Sequence, residues 1–216
     1  MLAKVFSGAT VGLDSVPVEV EVDVTAGGLP SLTIVGLPDK AVEESKERVR
    51  SAIKNSGAEF PDRKITVNLA PADLPKEGPA YDLPIAVGIL LASGQLHADL
   101  QDTLVLGELS LDGSLRHTNG VLPMVLLAKD AHFKRVFLPA VNAKEAAVVS
   151  DVEIYPIDAI RQLVFHLEKI KTISPHPHIE FSALRDEGNS IFDLADVAGQ
   201  EHAKRALEIA RLYSEK

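Results

Sequence analysis

One loop holds most of the side chains that could do chemistry. Asp73, Lys76 and Glu77 are close neighbours in sequence, and Asp82 follows directly before an apolar run. Crowded carboxylates can raise one another's pKa and so prepare a general acid or base. Carboxylates in loops are more often solvated or used as helix caps, and Asp82 stands where a helix N-terminus is predicted. A helix-terminal role for Asp82 is therefore favoured over acid–base catalysis.

Other motifs for catalysis or ligand binding are weak. The loop precedes a helix N-terminus, where backbone amides can bind phosphate, but the Gly-x-x-x-x-Gly-Lys-Ser/Thr spacing of a P-loop occurs nowhere in the sequence. His176 and His178 flank a proline, and two histidines supply half a metal site at most. No serine or lysine has an activating neighbour by spacing alone. The motifs predict no cofactor and no metal for these residues.

The composition predicts a soluble, folded protein. With 46% hydrophobic and 25% charged residues, the 216-residue chain can form a core and lacks the polarity of disordered chains. It has no cysteine, which excludes disulfides, and no apolar run near the roughly 18 residues of a membrane span. The net charge of −9 and the absence of tryptophan argue against a surface that is basic throughout. We expect a cytoplasmic protein without membrane contact, in which any nucleic-acid site is a local patch.

Hydrophobic periodicity predicts a mixed α/β (α+β) domain over residues 1–168. Valines alternate with polar residues from Val16 to Val24, and Leu2–Phe6 and Leu32–Val35 are predicted to complete an antiparallel meander. From Ala131 onward, strands alternate with helices, which indicates parallel pairing. The other predicted strands lie at 64–70, 104–106, 108–111, 135–138 and 152–155. The predicted helices span 38–56, 83–92, 119–131, a short stretch from Asn142, and 158–167 with Asp158 as its cap.

The pattern changes after residue 168. Residues 169–190 contain Ser-Pro-His-Pro-His and Asp-Glu-Gly-Asn-Ser, which are typical of a linker. An amphipathic helix then follows with no partner helix of its own. Residues 191–216 therefore indicate the start of a second domain.

Two segments resemble Lon-type Ser/Lys proteases. Pro75–Ala80 (Pro-Lys-Glu-Gly-Pro-Ala) is similar to the loop that bears the Lon nucleophile, and Gly107–Gly113 with Asn119–Leu122 is similar to the segment that bears the catalytic lysine. Matched without gaps, the serine position falls on Ala80 and the lysine position on Leu122. A methyl and an isobutyl group can neither attack a carbonyl nor accept a proton. The resemblance thus implies a Lon-like fold, of the ribosomal protein S-five second-domain superfamily, without peptidase activity.

A closer resemblance, over essentially the whole chain, is to the ComM/YifB family of Mg-chelatase-like AAA+ proteins. It rests on Ala3–Ala9, Leu32–Asp39, Val67–Gly78 and Asp196–Gln200. The resemblance implies a longer ATPase, a hexameric DNA helicase that promotes branch migration in natural transformation (competence). Residues 191–216 would begin the AAA+ module, with Val197, Gly199 and Gln200 beside the nucleotide. ATP and Mg²⁺ are expected for that longer protein and none for this part of it. Self-association into a ring would occur through the AAA+ module.

Several roles remain open for residues 1–168. They could contact branched or single-stranded DNA, organise the ring, or serve as a structural adaptor, and a chelatase-type metal-insertion ATPase is the alternative for the whole protein. Clustered lysine and arginine side chains are what phosphate contacts require. The candidates for DNA contact are Lys76, expected to be exposed on the loop, Arg50 and Lys54 on the first helix, and Arg63 and Lys64 nearby in sequence.

Overall fold

The computed structural model describes residues 1–12, 14–181 and 194–214, with side chains described as far as residue 210. It divides into two units, residues 1–180 and residues 181–216. In the described part of the second unit, a 3₁₀ turn at Leu194–Asp196 precedes helix α6, Glu201–Ser214. Residues 182–193 and 215–216 of the predicted linker and second domain lie outside the described ranges. No helix in the described ranges is long and apolar enough to cross a membrane.

The first unit is built on a seven-stranded mixed sheet. Its order is β3-β4-β2-β1-β5-β8-β9, with antiparallel pairing of β1 with β2 and of β2 with β4, and parallel pairing elsewhere. The mixed α/β architecture predicted from the sequence is confirmed. The strands are β1 (Leu2–Val11), β2 (Asp14–Thr25), β3 (Ser31–Val35), β4 (Lys64–Ala70), β5 (Thr103–Val105), β8 (Arg135–Pro139) and β9 (Glu153–Ile157), and β6 (Glu108–Leu109) and β7 (Leu115–Arg116) form a separate hairpin.

Helices cover the sheet unevenly. Along β5, Val105 points into one core and Leu104 into another, and Phe137 and Val136 on β8 do the same. Because successive side chains of a strand point to opposite faces, the two cores lie on opposite faces of the sheet. The first core contains side chains from α1 (Lys40–Asn55), α2 (Asp82–Ala92) and α5 (Ile160–Leu167), and the second contains side chains from α3 (Val121–Asp130) and α4 (Ala143–Ala146).

The outward face of β3, β4 and β2 belongs to neither core. It carries the acidic positions of the alternating strand β2, Glu19, Glu21 and Asp23, beside Asn68 of β4. The Lys4 ammonium pairs with both glutamates, at 3.1 Å from Glu21, and the Asn68 amide donates to Glu21 at 2.8 Å. This part of the sheet is therefore a polar, mainly acidic surface.

Two sequence-based expectations about the elements were wrong. Strand β3 does not continue an antiparallel meander; it pairs in parallel with β4 after the chain has passed through α1. Asp158 does not cap α5, whose N-cap residue is Ala159, and the Asp158 backbone N–H instead donates to the Gln162 side chain at 2.7 Å. Both errors concern long-range or competing hydrogen bonds, which local periodicity does not encode.

The first half of the predicted linker is attached to the domain. The Ile173 N–H donates to His166 Nδ1 at 2.9 Å, His176 N–H donates to the Ile154 carbonyl at 2.7 Å, and Ile179 N–H donates to the Ala147 carbonyl at 2.9 Å. Burial lowers the pKa of His166, which favours the neutral ring that can accept this bond. Residues 173–179 thus follow the edge of the sheet formed by β9.

Gly36 sets the path of the chain after β3. Its φ is +99°, and a Cβ atom there would lie 2.1 Å from the Leu69 carbonyl oxygen. We expect Gly36→Ala to lower the free energy of unfolding by about 3 kcal/mol, since it adds a backbone collision to a left-handed conformation. Chemical denaturation monitored by circular dichroism measures the change.

Gly57→Ala is the matched control. Gly57 has a similar φ of +87°, but a Cβ atom there would meet nothing within 4 Å. We expect it to cost about 1 kcal/mol, the backbone strain alone. Equal losses for the two variants would show that the approach to Leu69 is unimportant.

Candidate functional site

The loop between β4 and α2 is attached to the start of α1. Asp39 is the N-cap of α1: its carboxylate accepts from the Val42 N–H at 2.7 Å and also from the Gly78 N–H at 3.0 Å. Two backbone hydrogen bonds run beside it, from Lys76 N–H to the Leu37 carbonyl at 3.1 Å and from Asp39 N–H to the Lys76 carbonyl at 3.0 Å. Pro71, Pro75 and Pro79 limit the conformations of the loop, and the helix cap shared with it restricts the loop further.

Lys76 is not the exposed cation that the sequence suggested. Its side chain is 0% exposed, and the ammonium donates to the Pro71 carbonyl within the same loop. Burial lowers the pKa of Lys76, and only the nearby Asp73 charge opposes this fall. Because the loop folds back over the side chain, Lys76 cannot reach a phosphate in this conformation.

A buried polar cluster lies directly behind the loop. Asp82, 0% exposed, accepts from Arg48 Nε at 2.6 Å, from Arg48 Nη2 at 3.0 Å, from the Ser45 hydroxyl and from the Leu109 N–H at 3.2 Å. Arg48 Nη2 also donates to the Ala41 carbonyl at 3.0 Å. The cluster joins α1, α2 and the β6–β7 hairpin through one carboxylate.

This geometry corrects the role expected for Asp82. It is the first residue of α2, but Tyr81 occupies the N-cap position and no side chain caps that helix. Burial raises the pKa of the Asp82 carboxyl, whereas the hydrogen bonds from Arg48, Ser45 and Leu109 oppose the rise. No sequence motif predicts the contact between Arg48 and Asp82. The one available signal is a polar pair, Ser45 and Arg48, between the apolar positions of α1.

The two positions aligned with the protease dyad are both apolar and share one core. Ala80 is 6% exposed and belongs to the second hydrophobic cluster, against which Leu122 packs. The Ala80 carbonyl accepts from the Gly107 N–H at 2.9 Å, and Leu83 N–H donates to the Gly107 carbonyl at 3.0 Å. The described geometry therefore offers neither a nucleophile nor a base at these positions. The backbone on either side of Ala80 is instead hydrogen-bonded to Gly107, which lies between β5 and β6.

The four remaining cationic candidates lie at the opposite end of β4. Lys54 on the last turn of α1 and Arg63 and Lys64 at the start of β4 are exposed. Arg50 is half-buried, and its guanidinium lies 4.7 Å from the centre of the Phe60 ring. Seven residues of extended β4 separate Lys64 from the loop that holds Lys76, or about 20 Å. We name Arg50, Lys54, Arg63 and Lys64 the basic end.

The proposed nucleotide-contacting residues precede α6 in the second unit. Val197, Gly199 and Gln200 are exposed, with a positive φ at Gly199 and Gln200. The Gln200 carbonyl accepts from the Lys204 N–H at 3.0 Å, which starts the helix. Their role in binding a nucleotide remains a prediction.

No group of three metal-ligating side chains that could hold an ion occurs within the described ranges. His176 Nδ1 lies 2.8 Å from the Pro177 carbonyl, and His178 Nε2 lies 3.7 Å from Glu180. Both contacts are local.

Removing the arginine of the buried cluster should be costly. We expect Arg48→Met to lower the free energy of unfolding by about 3 to 5 kcal/mol at pH 7, because the Asp82 charge stays buried without its partner. The pKa of the folded carboxyl then rises further, so the folded state binds its proton more tightly than the unfolded state and stability falls as pH rises through that pKa. The loss should therefore be smaller at pH 5 than at pH 7 in urea denaturation.

Two further variants make this test specific. Glu44→Gln, on the exposed side of α1, should change stability by less than about 0.5 kcal/mol. Adding Asp82→Asn to Arg48→Met should recover part of the loss, since the unpaired charge is gone. If the double variant loses as much free energy of unfolding as Arg48→Met and Asp82→Asn lose together when measured singly, the two side chains act independently.

Replacing the buried lysine tests whether its ammonium is desolvated in the folded state. The pKa of Lys76 is lowered from the ordinary value of 10.5, so the folded state releases the proton more readily and its stability gains as the pH approaches 10.5. Lys76→Met lacks this gain. We expect it to match or exceed the wild-type stability by about 1 kcal/mol at pH 7 and to lose this advantage progressively as the pH rises toward 10.5.

The same denaturation curves measured for Lys40→Met, an exposed lysine at the start of α1, provide the control. That variant should show the same pH profile as the wild type. A Lys76→Met protein with an unchanged pH profile would mean that the ammonium is solvated in solution.

Comparison with known proteins assigns the family. The model of the family described as subunit ChlI of Mg-chelatase matches residues 20–142. Competence protein ComM of Haemophilus influenzae is 44% identical over 211 residues, covering 97% of this chain and 41% of the relative. YifB of Salmonella typhimurium, an uncharacterized protein, is 44% identical over 209 residues, covering 96% of this chain and 40% of the relative.

A more distant similarity is to Lon protease 2 of Bacillus subtilis, which is 26% identical over 172 residues, 73% of this chain and 30% of the protease. The chain spans about two fifths of the length of the ComM and YifB relatives. The ChlI model matches more than half of the chain, and these relatives align over nearly all of it. The chain therefore belongs to the Mg-chelatase ChlI-like family, in its ComM/YifB group.

Proposed function

We propose that residues 1–180 form a non-catalytic domain of a ComM-type, ATP-driven DNA helicase that promotes branch migration. The observation that carries this proposal is the apolar pair Ala80 and Leu122, which share one hydrophobic core in a chain similar to ComM over 97% of its length. A protease would need a nucleophile and a base at these positions. The Lon-like domain would thus serve in binding or assembly.

The motor activity would reside mainly in sequence beyond residue 216. The relatives are longer than this chain, and no P-loop occurs in its 216 residues. In this proposal, ATP and Mg²⁺ bind the AAA+ module, whose start includes Val197, Gly199 and Gln200. A hexameric ring forms through that module, and residues 1–180 are an additional domain of each subunit.

The basic end is the surface that suits a contact with DNA. Three of its four cations are exposed, and a phosphate backbone is bound by such clustered charge rather than by the net charge of the chain. Arg50 adds a guanidinium held over the Phe60 ring, but its Nε is buried, so it is a weaker candidate for a phosphate contact than the exposed Lys54, Arg63 and Lys64. Lys76, being buried, is not part of this contact.

A metal-insertion ATPase is the second candidate, favoured by the description of the matching family model, subunit ChlI of Mg-chelatase. The two functions differ in ligand. A helicase domain should bind DNA through its cations, whereas a chelatase-type subunit should bind a protein partner and show no DNA affinity.

DNA binding by the 216-residue chain tests the proposal. A forked DNA labelled with fluorescein should bind at low salt, and log Kd should rise linearly with log salt concentration. Reversing two charges in Arg63→Glu/Lys64→Glu should weaken binding at least about 10-fold and reduce the salt slope by about 2. Fluorescence anisotropy measures both quantities.

Lys144→Glu/Lys171→Glu is the control, because it makes the same charge change at two exposed lysines remote in sequence from the basic end. It should alter the affinity by less than about 3-fold, an effect of net charge alone. Absence of binding at low salt would reject the DNA-contact role. Equal weakening by both double variants would reject the basic end as the site.

A further inference from the structure

One edge of β1 has unpaired backbone groups. The Met1 amino group donates to the Val24 carbonyl at 2.6 Å, and Val24 N–H donates to the Met1 carbonyl at 3.2 Å. In an antiparallel pair, residues that exchange both bonds alternate with residues that face away from the partner strand. With the register Leu2↔Asp23 and Lys4↔Glu21, the peptide groups of Leu2 and Lys4 therefore face away from β2.

On that other side, β1 has a strand neighbour at one position. Strand β5 pairs with it at Phe6↔Leu104, and the preceding segment, residues 96–101, diverges from β1 instead of continuing the pairing. Between them lies a groove of about 750 Å³, within the range of sites that bind small ligands. The N–H and C=O groups of Leu2 and Lys4 line this groove.

The groove is mainly apolar and accessible. Leu2 is 56% exposed at its opening, and Leu91, Leu96 and Leu100 line its wall. Natural proteins often protect a free strand edge with an outward lysine. Here the Lys4 ammonium is held over β2 by Glu19 and Glu21, so it does not block the edge.

The acidic side chain at the rim of the groove is Asp99. The two cations that also line the groove, the Met1 ammonium and Lys4, are paired with acidic residues of β2. Asp99 is exposed, its carboxylate accepts from the Gln101 N–H at 3.1 Å, and it makes no ion pair with the described residues. Nearby, the Glu168 carboxylate accepts from the His97 N–H at 2.8 Å. A ligand in the groove would therefore gain from a positive charge beside Asp99.

We propose that this groove binds an extended peptide segment of a protein partner, which adds a strand to the free edge of β1. The segment presents an apolar side chain to the leucine wall and a lysine or arginine to Asp99. Backbone hydrogen bonds with Leu2 and Lys4 supply affinity, and the side-chain contacts supply selectivity, as in other cases of strand addition. This surface shares no residue with the basic end, although the registers Leu2↔Asp23 and Thr25↔Lys64 place both at the same end of the sheet. The proposal does not depend on DNA binding.

The probe is a synthetic peptide, acetyl-Val-Lys-Val-Lys-Val-amide with fluorescein on an added C-terminal lysine. It should bind the 216-residue chain with no residues added before Met1. Its Val-Glu-Val-Glu-Val counterpart should bind at least about 10-fold more weakly, and Asp99→Asn should reduce this discrimination to about 3-fold. Hydrogen exchange of the Leu2 and Lys4 amides should slow at least about 10-fold when the probe is bound.

Two variants test the backbone contact itself. Lys4→Pro removes a groove-facing N–H, and proline is tolerated at strand edges, whereas Lys4→Ala keeps it and controls for the lost ammonium. Lys4→Pro should bind the probe at least about 10-fold more weakly than Lys4→Ala. Circular dichroism and thermal unfolding show whether both are folded; if Lys4→Pro is not, a probe N-methylated on the central residues replaces it and should lose binding to the wild type.

Three results would overturn the proposal. Equal binding of the lysine and glutamate peptides would remove the role of Asp99. Unchanged binding of the N-methylated probe would remove strand addition. Self-association of the chain through this groove, detected by sedimentation and abolished in Lys4→Pro, would identify a second copy as the occupant instead of a different protein.

Discussion

The buried Asp82 carboxylate holds together the part of the fold in which a Lon-type protease would have its active site. Arg48 and Ser45 of α1 and the Leu109 N–H of β6 all donate to it. Since α2 is buried on nearly every side, its first residue cannot move without its surroundings. The loop that precedes α2 is therefore held at two points. The Gly78 N–H donates to Asp39 of α1, and the loop ends at Asp82.

The position in this loop that resembles the site of the Lon nucleophile is Ala80, which has no reactive side chain. Ala80 contributes a methyl group to the second core and a carbonyl to Gly107, and Leu122 packs against the same core. Both side chains contribute to apolar packing and carry no nucleophile or base.

The sequence predicted the elements well and their polar contacts poorly. The valine alternation of β2 and the fully apolar α2 both follow from side-chain burial, a local property, and both are present. The partners of Arg48 and Lys76 could not be predicted, because Arg48 meets a carboxylate 34 residues away and Lys76 is covered by the fold of its own loop. Likewise, β1 has a free edge because residues 96–101 diverge from it, and hydrophobic periodicity does not predict the path of those residues.

Glu19, Glu21 and Asp23 give the outward face of β2 a negative charge. A nucleic acid approaching that side meets Glu19, Glu21 and Asp23 with a single lysine between them, and like charges repel over roughly one Debye length, about 8 Å at physiological salt. The same charges attract cationic segments. Lys64 of the basic end lies on this same face, one same-face position along β4 from Thr66, the partner of Asp23. The face is therefore negative along β2 and positive where β4 begins, and its field would direct a polyanion toward the start of β4.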